Sequence, residues 1–448
     1  MMRQKAQDLT TGSLGKQILM FSVPLMLSNL LQVLFNMVDV AVVGRFAGAM
    51  ALGSVGSTSI LVMMFTGFLI GIAGGINVLT ALYFGAKNKK DLSETVHTAA
   101  LFSLFTGILL SVAGIGFAGK ILELLHTKPE LIDGAVLYIS IYFLGMPALA
   151  VYNFGNAVFS AVGDTARPLK YLTFAGAANV VLNLFFVLGC GMDVDGVAVA
   201  SVISQYLSAG MITIALFRTR EDYGLCLSRL RVNRARAFDL IRIGVPGGLQ
   251  NAIFHIANLF IQAGVNSFSA VMVAGNSAAA NADGIVYDVM AAFYTACGSF
   301  MGQNLGAGKK DRVLKSYLIS LAYSFGIGAG LGLLLLAFGK EFLSLFTTVP
   351  EVAAAGMQRL SIMGLSYGVS AFMDCTIAAS RAMGKSVVPT MIVFTGSCIF
   401  RVLWIYTVFA YFKTIPSLYL LYIFSWSITG IAEILYFVKI YRGQTAQL

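Results

Sequence analysis

The chain has 448 residues, of which 58% are hydrophobic and 11% charged, and its mean hydropathy is +0.83. A soluble domain carries roughly 25% charged residues, so this composition excludes an ordinary water-soluble globular protein. The net charge of +10 needs no nucleic acid to explain it, because the basic residues are sorted along the chain as membrane proteins sort them.

A polar stretch up to Gln17 runs into a full-length apolar segment with no small-residue cleavage site before it, so no removable signal peptide is expected. Twelve spans are predicted, at about 17–43, 52–82, 95–118, 131–155, 168–190, 196–217, 238–266, 275–303, 313–338, 353–379, 388–412 and 417–440. The second six repeat the first. Gly85 answers to Gly306, Pro129-Glu130 to Pro350-Glu351, Gly163 to Gly384 and Pro168 to Pro389, an offset of about 221; Pro24 answers to Pro246 one residue further on. The predicted organisation is a six-helix bundle over 1–217, a basic linker over 218–237 and a second six-helix bundle over 238–448. With six spans per copy both copies enter the bilayer from the same side, which predicts a pseudo-twofold along the membrane normal.

With the N-terminus inside, 23 of the 30 basic residues fall on inner segments, seven of them from Arg218 to Arg242. Arg45, Lys120, Lys128, Lys340, Arg359 and Lys413 fall outside, and Arg401 lies within a span. This pattern predicts cytoplasmic termini, a cytoplasmic connector and an inner-membrane location. The basic connector reads as a topology and anionic-lipid signal.

Several patterns that resemble enzyme motifs fail on context. Gly114 to Lys120 has nucleotide-loop spacing but continues with Ile121 where a hydroxyl is needed, and Gly384-Lys385-Ser386 lacks the upstream glycine. His97, His126 and His255 form no zinc motif, and no nucleophile elbow is present. Five cysteines, Cys190, Cys226, Cys297, Cys375 and Cys398, lack metal or redox spacing, so packing is their expected role. Neither an enzyme nor a nucleotide-driven pump is indicated, and no cofactor is expected.

The informative residues are polar groups inside spans, each of which costs several kcal/mol without a partner or a purpose. In the first span Gln32, Asn36 and Asp39 share one helical face, and in the fifth Asn179 and Asn183 do so. A carboxylate ringed by amides suits a proton or sodium site, because oxygen ligands coordinate sodium and low dielectric favours the protonated acid. The bland alternative is an Asp that merely joins helices. In the seventh span Asn251, His255, Asn258, Gln262 and Asn266 form one polar stripe, which should face a cavity or a helix junction. Asp283 and Asp288 lie in the eighth span, Asp374 in the tenth and Arg401 in the eleventh; one of these acids is the expected partner of Arg401, as an internal ion pair or a substrate site. Glu433, close to the inner end of the last span, is expected to reach the interface.

The run NMVDVAVVGRFAGAMALGSVG, the paired GAKNKKD and GQNLGAGKKDR loops, and the paired SAVGDTARP and RAMGKSVVP loops resemble the multidrug and toxic compound extrusion (MATE) family, most closely its bacterial DinF-like and MepA-like branch. The resemblance covers about residues 14–440. It implies twelve helices in two bundles and export of organic cations or other amphipathic compounds in exchange for protons or sodium by alternating access. Asp39 matches the family's acidic residue of the first helix, Asn179 its fifth-helix amide and Ser201 a frequent sixth-helix Thr; Asn183 replaces a frequent Asp. With one carboxylate rather than two, proton coupling is favoured, and sodium at Asp39, Asn179 and Asn183 stays open. Asp374 matches a tenth-helix Asp tied to coupling in relatives. Asp283, in the motif that ends at Tyr287, stands where relatives have Glu. The expected partners are a small amphipathic or cationic substrate and the lipid bilayer, without nucleic acid or nucleotide, and the expected state is a monomer. The alternatives are a lipid-linked or metabolite flippase of the same superfamily and, less favoured, an integral-membrane enzyme or a channel.

Overall fold

The computed structural model describes residues 7–125 and 127–445; His126 lies outside them. Among the described residues the structure is helical, without strands. The first half contains α1 (Leu14–Val42), α2 (Gly48–Gly85), α3 (Lys89–Leu124), α4 (Pro129–Phe143), α5 (Met146–Ala161), α6 (Ala166–Leu184) and α7 (Val194–Arg218). The second contains α8 (Arg234–Asn266), α9 (Ala270–Gly306), α10 (Lys310–Ala337), the short α11 (Gly339–Ser344), α12 (Pro350–Ala382), the broken run of α13 (Val387–Val393), α14 (Phe400–Trp404) and α15 (Ala410–Phe412), and α16 (Ile415–Thr445).

Each of the twelve predicted spans coincides with one helix or one broken helix. The fourth is broken, with α4 and α5 meeting at 46°. The cause is local. Pro147 has no N–H to give the carbonyl four residues back, and that carbonyl belongs to Phe143, where α4 stops. Ile141 and Tyr142 accept instead from the N–H groups of Leu144 and Gly145, in the tighter i to i+3 pattern. Arg234–Asn266 is as long as the other spans, but its charges and polar stripe hold its hydropathy below theirs.

The repeat extends to backbone detail. After α2, Asn88 N–H reaches Tyr83 C=O at 3.1 Å, and after α9 Lys309 N–H reaches Asn304 C=O at 2.9 Å. The residues that turn these two corners, Lys87 at φ 54° and Gly308 at φ 71°, are repeat partners in the left-handed region. After α5, Asp164 N–H reaches Phe159 C=O at 2.9 Å; after α12, Lys385 N–H reaches Ser380 C=O at 3.0 Å. Gly163 and Gly384 turn these at φ 86° and 75°. The glycines kept in both loops are therefore helix stops of one geometry.

Packing divides the chain differently from connectivity. One compact unit comprises Gln7 and Asp8 with Leu27–Gly248, the other Leu9–Met26 with residues 249–445. The expected division, 1–217 and 238–448 around a linker, thus differs from the packed one: residues 218–248 belong to the first unit and Leu9–Met26 to the second. Both changes of unit follow a proline inside a helix, Pro24 in α1 and Pro246 in α8, again repeat partners.

In the first unit the connector is docked. Tyr223, Leu225, Leu240 and Ile243 are buried in a core with Phe159 and Ile212. His97, 2% exposed, accepts the Cys226 N–H on Nε2 at 3.0 Å while Nδ1 lies 2.7 Å from Ser93 C=O. Asn233 bonds Thr98 and Glu94, and Arg236 pairs with Asp91 at 3.4 Å. Gly71 and Gly75 of α2 lie against backbone of Gly247 and Gly244, where a Cβ would meet atoms at 2.4 and 2.7 Å. In the second unit Leu9, Leu14, Ile18, Phe21 and Leu25 pack with Phe293, Ala296 and Phe300. The Leu9 N–H donates to Gln303 Oε1 at 3.0 Å, and Lys309 Nζ to the Thr10 carbonyl at 2.7 Å. Cys297, Cys375 and Cys398 are buried, Cys190 and Cys226 exposed, and all five are free.

Replacing Gly163 or Gly384 by Ala forces a side chain into the left-handed region and is expected to cost about 1–2 kcal/mol. Gly116→Ala, in an open position of α3, is expected to gain up to about 1 kcal/mol. Thermal unfolding of the three variants in detergent measures both signs.

Candidate functional site

In the first unit, three helices bring four predicted residues into one hydrogen-bonded ring. Asp39 comes from the last turn of α1, Asn179 and Asn183 from one face of α6, and Ser201 from α7. Asn183 Nδ2 donates to one carboxylate oxygen of Asp39 and, at 3.2 Å, to Asn179 Oδ1. Ser201 Oγ donates to the other carboxylate oxygen at 3.3 Å, and Asn179 Nδ2 donates to Ser201 Oγ at 3.5 Å. Asn179, Asn183 and Ser201 are buried and Asp39 half-buried. Asn36, expected beside them, is exposed on α1 and stands outside the ring.

The wall is apolar. Val42, Val43, Val187, Val194, Val197 and Ala198 form a core with Tyr138, and the phenols of Tyr138 and Tyr142 lie within electrostatic reach of Asp39. No cationic side chain forms an ion pair with Asp39 among the described residues. Its charge is met only by neutral donors, each worth roughly 1.5–3 kcal/mol to a charged acceptor. The Oδ1 of Asn183 is buried without a hydrogen-bond partner, a spare acceptor beside the acid. Two π-helical stretches border the ring, Val43–Ala47 after Asp39 and Phe185–Gly189 after Asn183, and such bulges concentrate at functional sites. An acid, a spare amide oxygen and a hydroxyl can together take up a proton or an oxygen-coordinated monovalent cation.

The ring has no copy in the second unit. At the repeat offsets Asp39, Asn179, Asn183 and Ser201 answer to Ile261, Phe400, Trp404 and Tyr422. Polar chemistry in that unit is arranged elsewhere. Arg359 is 5% exposed on α12 and pairs with Asp283 of α9. It also donates to Asn276 Oδ1, which accepts from Tyr419 Oη at 2.6 Å, while Tyr367 Oη donates to Asp283. The Tyr419 ring lies 5.1 Å from the guanidinium carbon.

This arrangement corrects two sequence expectations. Arg359, assigned to an outer segment, is a buried cation, and it takes Asp283, one of the three acids expected to serve Arg401. Arg401, 2% exposed, donates through Nε to Ser425 Oγ at 3.2 Å and through one Nη to Asn258 Oδ1 at 3.3 Å. No carboxylate contacts it among the described residues. Glu433, expected at the interface, is fully buried on α16; its oxygens lack hydrogen-bond partners, and Arg381 is its charged neighbour. A burial of this kind is decided by neighbouring helices, which an end-of-span position does not reveal.

Among the other candidates, Asp374 is half-buried on α12, facing Tyr294 and within electrostatic reach of Arg381 and Arg401. Arg381 itself donates to Gln250 at 2.8 Å. Tyr287 packs edge-to-face on Tyr367 and Trp426, its hydroxyl buried without an acceptor. Along α8, Asn251 and His255 are half-buried, Asn258 is exposed, and Gln262, also exposed, donates to Asn266 at 2.9 Å. Sequence reasoning missed Asn276, Tyr138, Tyr142, Tyr367 and Tyr419. A faint signal existed for two: Asn276 lies seven residues before Asp283 on α9, and Tyr367 eight after Arg359 on α12, each on one helical face.

Twelve helical spans in duplicate, with a half-buried carboxylate that pairs with no cationic side chain among the described residues, fit a membrane transporter. The chain belongs to the MatE family, whose model matches residues 24–185 and 246–407. It is 30% identical over 396 residues to the "Probable multidrug resistance protein YpnP" of Bacillus subtilis, covering 87% of this chain and 88% of that protein. It is 25% identical over 394 residues to a protein of Shewanella oneidensis named "FAD transporter", covering 85% and 86%. A solved outward-facing multidrug resistance MATE family transporter superposes with a TM-score of 0.90 at 20% identity, covering 99% of both chains. The protein is a multi-pass membrane transporter and not an enzyme.

Asp283→Asn leaves the buried Arg359 cation without its counter-charge, and a loss of about 3–5 kcal/mol is expected. Tyr367→Phe, which removes one hydroxyl from the same acid, is expected to cost about 1–3 kcal/mol. Denaturation of both variants in detergent tests the order.

Proposed function

We propose that this transporter exports organic cations or other amphipathic compounds in exchange for protons or sodium, and that Asp39 carries the coupling ion. The observation behind this reading is the ring itself: a carboxylate held by an amide and a hydroxyl, with no cationic side chain paired to it among the described residues. An ionised carboxylate within the apolar part of a membrane protein is costly without a counter-charge, and binding a proton or a cation relieves that cost. In the charged state Asn183 Nδ2 and the Ser201 hydroxyl donate to the acid. In the protonated state Asp39 becomes a donor, and Asn183 Oδ1 is the acceptor beside it without a partner. Loading therefore asks the amide to reorient, and reorientation of α6 side chains next to a π-helical stretch is the local change that can bias one conformer over another. Substrate release to the outside follows loading, and rebinding from the cytoplasm follows loss of the ion. With a single carboxylate, one proton is the favoured coupling ion.

The names of the relatives in Bacillus and elsewhere support export of drug-like compounds. The relative named for FAD, together with the buried Arg401, favours metabolite export as the second reading. In either case we place the protein in the cell membrane as a monomer with cytoplasmic termini.

In proteoliposomes loaded with a fluorescent organic cation, an imposed proton or sodium gradient is expected to drive flux. Asp39→Asn is expected to leave expression and folding intact and reduce driven flux to background; undiminished flux in that variant excludes the scheme. Asn183→Asp supplies a second negative charge, and its flux is expected to gain dependence on sodium relative to protons, measured as the ratio of rates under the two gradients.

A further inference from the structure

Two arginines are buried in the second unit, and they differ in what satisfies them. Arg359 is neutralised by Asp283 and bonded to Asn276 under the Tyr419 ring, with its Nε left without a partner. Arg401 has no carboxylate in contact among the described residues. Its Nε and one Nη have the neutral acceptors Ser425 and Asn258, and the other Nη is buried without any acceptor.

Aromatic rings surround it, with centroids of Tyr422, Phe254 and Trp426 at 4.8, 5.6 and 5.9 Å from the guanidinium carbon. Their π faces attract the cation but offer no in-plane acceptor to its N–H groups. A guanidinium presents paired donors along its edge, matched to two oxygens of one anionic group. One of the two Nη donors is vacant and the other is held by Asn258 at 3.3 Å. Asn258 is itself exposed, so the acceptor held by that Nη also reaches the surface of the unit. The Asp374 charge acts on Arg401 from a distance without contacting it.

We propose that the second unit holds an anion subsite centred on Arg401, with Asn258 as its displaceable cover, which takes the carboxylate, phosphate or sulfonate of an aromatic compound. The anion occupies the Nη edge, and the ligand's ring stacks among Phe254, Tyr422 and Trp426. An anionic lipid headgroup shares this chemistry, and the test separates the two sources.

The experiment uses the full chain in a neutral detergent and two probes with one ring system, 8-anilinonaphthalene-1-sulfonate and the uncharged N-phenyl-1-naphthylamine. Binding is read from fluorescence at equilibrium without an ion gradient, so its failure is distinct from failure of antiport at Asp39. Arg401→Gln is expected to weaken binding of the sulfonate by about tenfold or more and leave the uncharged probe unchanged. Asn258→Ala, which frees the second donor, is expected to tighten the sulfonate selectively, and it serves where Arg401→Gln does not fold. Displacement of the sulfonate by phosphatidylglycerol, present in the wild type and absent in Arg401→Gln, assigns the site to a lipid headgroup; without displacement the ligand is a soluble aromatic anion. Equal sulfonate binding by wild type and folded Arg401→Gln, or by wild type and Asn258→Ala, overturns the subsite.

Discussion

Hydrocarbon offers no hydrogen bonds, and this lack governs every polar atom between the ends of these helices. Backbone groups meet the constraint by helix formation. Side chains meet it through partners, and the quality of those partners separates structure from function. Asp283 and Arg359 neutralise each other and are bonded by Asn276 and Tyr367, an arrangement that holds α9, α12 and α16 together. Asp39 is given donors but no counter-charge. A group in that condition gains when its charge is removed, and the proposed coupling at Asp39 rests on that gain.

Duplication supplied one backbone twice and left the interiors to diverge. The left-handed helix stops at Lys87 and Gly308, and at Gly163 and Gly384, retain one geometry. The interior positions do not. Where the first unit has an acid, two amides and a hydroxyl, the second has Ile261, Phe400, Trp404 and Tyr422. The irregular backbone shows the same mixture: the π-helical stretch Phe185–Gly189 has a counterpart in Ile405–Phe409, whereas Phe394–Ile399 is matched in the first half by regular α6. The two units thus present different chemistry on a common frame, an acid ring in one and an aromatic cage around a cation in the other.

The prolines of α1 and α8 link sequence to packing. Each lies inside a long helix, where it removes one backbone hydrogen bond and permits a bend. Just beyond each of them the helix changes the unit it packs with. The segment up to Met26 is fixed by Leu9, Thr10 and its apolar face, and the connector by His97, Glu94 and Asp91. A connector rich in arginine is therefore a folded part of the first unit.

The sequence by itself determined the solvent, the twelve spans, the duplication and the acid ring. Each of these is written in local pattern: apolar runs of bilayer length, a constant offset between glycines and prolines, and polar residues at helical spacing. Asp39, Asn179 and Asn183 were legible as polar side chains at helical spacing, and Ser201 through the family resemblance. The tertiary structure alone decided which acid meets which arginine. Arg359 and Arg401 look alike along the chain, each a cation near or within a span. Only the approach of α9 to α12 gives Asp283 to Arg359 and leaves Arg401 among aromatic rings. The same holds for Glu433, whose burial depends on its neighbours, and for the units to which Leu9–Met26 and the connector belong. Pairing across helices depends on rotation and depth, and these are set by side-chain packing over the whole unit, which no window of residues contains.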